Sequence, residues 1–154
     1  MNCLLRTSKA FTLGMHAMAL LARHYPDRLS VSRIAALCGV SEAHLAKVVQ
    51  TLARSGFVRG ERGPAGGIAL TGPADSVSLM DIWNAIEGTA TDEVCAFAIP
   101  TCTAGLCPVG RRFAAYSRQV ENLMKETTLK DLTCMNEVWK PRPSDRSPPE
   151  TADV

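Results

Sequence analysis

The sequence predicts a mainly α fold carrying one small β-hairpin. Three observations predict it. Apolar residues recur at helical spacing in several separate segments, three of them opened by a serine able to cap a helix. Two short alternating segments flank a Gly- and Pro-rich connection from Gly60 to Gly66. Aromatic residues make up only 5% of the 154-residue chain while Ala, Leu and Met are plentiful, a balance that favours helices over a β sandwich. With 46% apolar residues the chain can bury one real core and a small second unit.

The first periodic segment runs from about Ser8 to His24, with Phe11, Met15, Met18, Leu21 and Ala22 on one stripe and Pro26 and Asp27 ending it. Ser30 caps a short helix over Val31, Ile34, Ala35 and Cys38, which Gly39 stops. Ser41 caps the next helix, which reads to about Ser55 with Leu45, Val48, Val49 and Leu52 inward and Gly56 as its stop. Two helices joined by a glycine turn form a helix-turn-helix candidate, and Ala35, Gly39 and Leu45 supply the small, turn-tolerant and inward apolar residues that motif needs. Phe57 to Arg59 and Gly67 to Leu70 then read as the strands of a hairpin. A helix-turn-helix followed at once by a basic hairpin is a winged helix.

Ser78 caps a further helix over Leu79, Ile82, Trp83 and Ile86, ended by Glu87 and Gly88. Residues 89–107 lose the helical period and hold three cysteines. Pro108 fits the first turn of a new helix whose residues Val109, Phe113, Tyr116, Val120 and Leu123 alternate four and three apart, a heptad seam that needs a covering partner. A short amphipathic helix from about Thr128 to Trp139 carries Leu129, Leu132, Met135 and Val138, and the Pro-rich, polar stretch after Lys140 cannot bury enough to fold. The expected organisation is a winged helix-turn-helix DNA-binding domain over 1–88, a cysteine loop over 89–107, a C-terminal dimerisation helix with its short companion over 108–139, and a disordered tail over 140–154.

Charge divides the chain. Residues 1–72 hold nine Lys and Arg against three acids, a balance of +6, and residues 73–154 hold eight against twelve, a balance of −4. The basic half suits a polyanion, and the expected one is nucleic acid. In a winged helix, the start and exposed face of the second motif helix, Ser41, Glu42, Ala43, His44 and Lys47, enter the major groove, and Arg59 and Arg62 flank a wing suited to backbone or minor-groove contact. Gly66 and Gly67 serve there by letting the wing fold tightly. A two-fold homodimer reads a pseudo-palindrome in double-stranded DNA. The longest apolar stretch, Leu13 to Ala22, is half what a membrane crossing requires, and no apolar run with a cleavage site opens the chain, so the expected location is cytoplasmic. With neither a nucleophile–base pair nor a CxxC beside a βαβ pattern, an enzyme or electron carrier is disfavoured.

Cys95, Cys102 and Cys107 fall as C-x6-C-x4-C in a loop with Gly and Pro, and thiolates select zinc, Cu(I) or iron–sulfur clusters over hard cations. Without closely spaced CxxC pairs a zinc ribbon is disfavoured, whereas iron–sulfur ligation tolerates uneven spacing and non-cysteine donors. Asp92, Glu93, His16, His44 and Cys3 are candidates for a fourth ligand. Cys38, on an apolar helix face, and Cys134 read as core residues.

Together, the run Ala43 to Val49, then Gly56-Phe57-Val58, then Arg62-Gly63-Pro64-Ala65-Gly66-Gly67-Ile68, then the three cysteines, the long helix and Thr128 to Leu132 resemble the IscR/NsrR-type winged-helix repressors over nearly all of residues 7–140. The resemblance implies a [2Fe-2S] or [4Fe-4S] cluster on Cys95, Cys102 and Cys107, a symmetric dimer through the long helix, and DNA affinity set by cluster state, with nitric oxide, redox state or iron–sulfur status as signal. The motifs stand closer to the nitric-oxide-sensing branch than to the cluster-biogenesis branch. The chain departs from both: no His follows Cys107 closely, and Thr12 stands where nitric-oxide sensors offer an Asp. His16, one turn on, stands where a redox-sensing relative supplies a His across the dimer, which makes it the favoured fourth ligand, with Asp92, Glu93 or a small molecule still open. The spacing between Cys95 and Cys102 is about one residue longer than in the family. A cluster-free winged-helix regulator sensing through thiol oxidation or a partner protein is the alternative.

Overall fold

The computed structural model describes residues 7–61, 63, 66–89 and 107–133. Helix α1 spans Lys9–His24, and the Ser8 hydroxyl accepts the Phe11 N–H at its start. Nine of its residues are buried, Leu13, Gly14, Ala17, Ala19 and Leu20 in addition to the stripe around Met18 and Leu21. Burial this wide, which leaves a flank through Lys9, Thr12, His16 and Arg23 partly or fully exposed, marks a central helix, and α1 touches α2 (Val31–Cys38), α3 (Glu42–Arg54), α4 (Leu79–Glu87) and α6 (Leu129–Thr133). The helices α2 and α3 are capped by Ser30 and Ser41 as the sequence predicts. Between them Gly39 adopts φ +65°, a left-handed conformation that only glycine takes without cost. The Val40 N–H then reaches back to the Ala35 carbonyl at 3.1 Å, which closes the turn.

Strands β1 (Val58–Glu61) and β2 (Gly67–Leu70) form the hairpin, with Val58 opposite Leu70 and Glu61 opposite Gly67. The first strand begins one residue later than Phe57 because Phe57 is taken up by the end of α3: its N–H donates to Leu52 and its carbonyl accepts from Thr71, each at 3.1 Å. It ends two residues later than Arg59 because Gly60 and Glu61 continue the ladder. Leu29 adds a one-residue bridge on the other edge of β2, exchanging N–H···O bonds of 3.0 and 2.9 Å with Ile68.

Met18, Leu21, Ile34, Leu45, Leu52, Leu70, Ile82 and Leu129 are the most deeply buried large side chains, so helices, hairpin and α6 share one core. Ser78 and Asp81 close a reciprocal capping box on α4. Phe11 meets Trp83 edge to face at a centroid distance of 5.0 Å, an arrangement favoured by the ring quadrupoles, and joins α1 to α4.

Helix α5 (Pro108–Glu126) starts with proline at its first position, as expected. From sequence the short terminal helix is expected beside this arm; in the fold α6 packs on α1, with Leu129 fully buried. Its entry is pinned by the Leu129 N–H to the Val77 carbonyl and the Leu79 N–H to the Thr127 carbonyl, both 2.9 Å. Positions 134–139 of the expected helix and the tail from 140 lie outside the described residues.

Candidate nucleic-acid interface and cysteine loop

On α3, the inward side chains Leu45, Val48, Val49 and Leu52 commit one face to the core, so the opposite face is free for a ligand. Ser41, Glu42, Ala43, His44 and Lys47 are all exposed. Ser41 also caps the helix, its hydroxyl oxygen accepting the His44 N–H at 3.3 Å. The exposed line continues beyond the residues the sequence reading named, through Gln50 to Arg54. Their spacing from Ala43 and Lys47 is the only signal that could have found them.

The start of α3 and the wing open on one groove of about 480 Å³, lined by Ser30, Ser32, Glu42, Glu61, Gly66 and Gly67 among others. Arg59 is exposed on β1, and Arg62 lies outside the described residues. The wing glycines answer a steric demand. A Cβ on Gly66 would sit 2.5 Å from the Glu61 carbonyl oxygen and 2.7 Å from that of Gly63, and one on Gly67 would sit 2.8 Å from the Leu29 carbonyl oxygen. Arg28 pairs with Glu61 across the base of the wing; both side chains are well exposed, so the pair orients more than it stabilises.

Of the loop cysteines, Cys107 is described and Cys95 and Cys102 are not. Cys107 caps α5, and its Sγ accepts the Gly110 N–H at 3.4 Å. His16 is half-buried on α1 with Nδ1 2.6 Å from the Thr12 carbonyl oxygen, which can only accept, so Nδ1 is the donor of that bond. Among the described residues no three His, Cys, Asp or Glu side chains gather as a metal site. Cys38 packs partly buried against the core, where burial pushes its thiol up, in keeping with an inert core residue.

Along α5, Val109, Tyr116, Val120 and Leu123 are 51%, 64%, 37% and 62% exposed, and Phe113 is half-buried. The flank that faces the chain's own core is another one, with Gly110 buried and Met124 packed against the core. No helix among the described residues is long and apolar enough to cross a membrane.

Two capped helices joined at a glycine turn, a hairpin wing beside them and an exposed outward face on α3 define a winged helix-turn-helix DNA-binding regulator. The family profile of Rrf2, an iron-dependent transcriptional regulator, matches residues 7–135. The chain belongs to the Rrf2 family of transcriptional regulators, and is a DNA-binding regulator rather than an enzyme. Among solved structures it is similar to CymR, the global cysteine regulator of B. subtilis, at 26% identity and a TM-score of 0.71 over 85% of this chain and 98% of that one. It is similar to the oxidized form of Staphylococcus aureus CymR at 26% identity and a TM-score of 0.66, over 84% of this chain and 96% of that one. T. potens IscR shares the fold at 22% identity and a TM-score of 0.67, over 90% of this chain and 93% of that one.

Proposed function

We propose that the protein is a dimeric transcriptional repressor in which α3 reads the major groove, the wing contacts the backbone or minor groove, and an iron–sulfur cluster on Cys95, Cys102 and Cys107 sets DNA affinity. The observation that carries the cluster is the donor set, three cysteines within thirteen residues of a chain matching an iron-dependent family. Cys107 fits that role: its sulfur accepts a backbone N–H, the kind of contact that tunes cluster-ligating thiolates. The fourth ligand is a non-cysteine donor, with His16 of the partner subunit the favoured choice. When bound, the cluster supplies an iron centre reactive toward nitric oxide or oxidants. The residues of this chain hold it and couple the loop to α5, whose first turn Cys107 caps.

A second reading is cluster-free sensing by thiol oxidation, favoured by the likeness to a CymR crystallised in an oxidized form. Anaerobic purification, with iron and sulfide counted per chain and DNA binding measured before and after nitric oxide and, separately, peroxide, separates the two. The cluster reading expects a visible chromophore that survives Cys38→Ala and is lost in Cys107→Ala. Colourless, iron-free protein whose DNA binding responds to peroxide establishes the thiol reading instead. His16→Ala with an unaltered spectrum and redox response removes His16 alone.

A further inference from the structure

The outward face of α3 does not end at Lys47. Residues 43, 47, 50 and 54 lie on one longitude, directly opposite the buried Leu45, Val48, Val49 and Leu52, and all four are exposed. Ala43 on this line and Ala46 and Ala53 beside it are all exposed, so the surface bordering Lys47 and Gln50 is low. A solvated helix face is usually laced with ion pairs three or four residues apart. Among the described residues this one has none, and neither the Lys47 ammonium nor the Gln50 amide has a side-chain partner, whereas the exposed Arg28 and Glu61 on the wing are paired with each other. Gln50 is the one exposed side chain on that line presenting a donor and an acceptor side by side without charge.

We propose that Gln50 is a specificity-determining residue that reads a base edge in the major groove, through the paired donor and acceptor that match adenine N7 and N6. The inference rests on α3 being the groove-reading helix. Within this proposal Lys47, one turn nearer the start of α3, contacts a phosphate, which contributes affinity without sequence information. The alanines let the helix approach closely enough for the Gln50 side chain to reach the base floor. One pairing of this kind discriminates against the wrong base by about 5- to 150-fold.

The test selects a preferred duplex from a randomised library with the wild-type dimer. It then measures wild type, Gln50→Ala and Lys47→Ala against that duplex and against each single base-pair substitution made symmetrically in both half-sites. Ala is the better helix former at an exposed position, so Gln50→Ala keeps the fold, which circular dichroism checks. The expected result is that Gln50→Ala flattens discrimination at one or two adjacent positions per half-site and leaves the rest of the profile intact, while Lys47→Ala weakens every duplex alike. If Gln50→Ala keeps the full profile while Lys47→Ala weakens binding, α3 lies in the groove and the assignment of Gln50 is overturned. If neither variant alters binding, α3 is not the reading helix and the proposal falls with that reading.

Discussion

Gly66 shows how a single residue shapes the wing. A Cβ there meets the carbonyl oxygens of Glu61 and Gly63, which are backbone atoms that cannot step aside without opening the hairpin. Gly66→Ala is expected to lower the thermal midpoint and weaken DNA binding together, whereas an alanine at Gly60, where the nearest atom is an Ile68 methyl at 3.8 Å, leaves both nearly unchanged. Equal behaviour of the two variants in a melting and binding series would sink the steric account. Asp131 is a second case. Its carboxylate accepts both the N–H and the hydroxyl of Thr128 at 2.8 Å, and these bonds, the backbone one first, hold it below the usual carboxylate range. A carboxyl depressed in the folded state contributes stability above its unfolded value near pH 4 and loses it as pH falls through the folded value. The stability gap between wild type and Asp131→Asn is therefore expected to be full at pH 7 and to close on titration below about pH 4. The serine caps and the Gly39 turn were legible because their chemistry is local; Gly66 and Gly67 were legible as a tight wing, but the contact of Gly67 with Leu29 was not, since that partner lies far back in the chain.

At the scale of elements, α6 carries the clearest lesson. Its amphipathic pattern was readable, yet the pattern could not say which surface it covers, because a five-residue helix has no stability of its own and takes its place from what it buries. Leu129 is fully buried in the core shared with α1, so α6 belongs to the same core as the winged unit. Leu129→Ala is expected to cost about 2–5 kcal/mol, the range for truncating a buried leucine, and to destabilise the whole winged unit. Chemical denaturation with tryptophan fluorescence as the probe checks it, since Trp83 packs against that core. A cost under about 1 kcal/mol would mean α6 is a detachable appendage. The same logic explains α1: a stripe was visible from spacing, while the wider burial follows from the four helices packed against it, which no local pattern encodes.

For the whole molecule the decisive feature is the uncovered seam on α5. The helix is anchored at its far end, where Thr127 bonds Leu79 and Met124 packs on the core, and this leaves Val109, Tyr116, Val120 and Leu123 turned to solvent along more than two heptads. Burying one such side chain contributes about 1.5–3 kcal/mol, so a symmetric pairing of two seams outweighs the cost of association only when all of them are covered at once. An acidic side chain in the middle of that seam places two like charges in a drying interface while touching nothing in the monomer's own core. Val120→Glu is thus expected to keep the wild-type melting profile of the winged unit, sediment as a monomer where wild type sediments as a dimer, and lose affinity for a two-half-site duplex far more than for a single half-site. A wild-type chain that sediments as a monomer at micromolar concentration, or a Val120→Glu chain that stays dimeric, would show that the seam is covered by something other than a second copy.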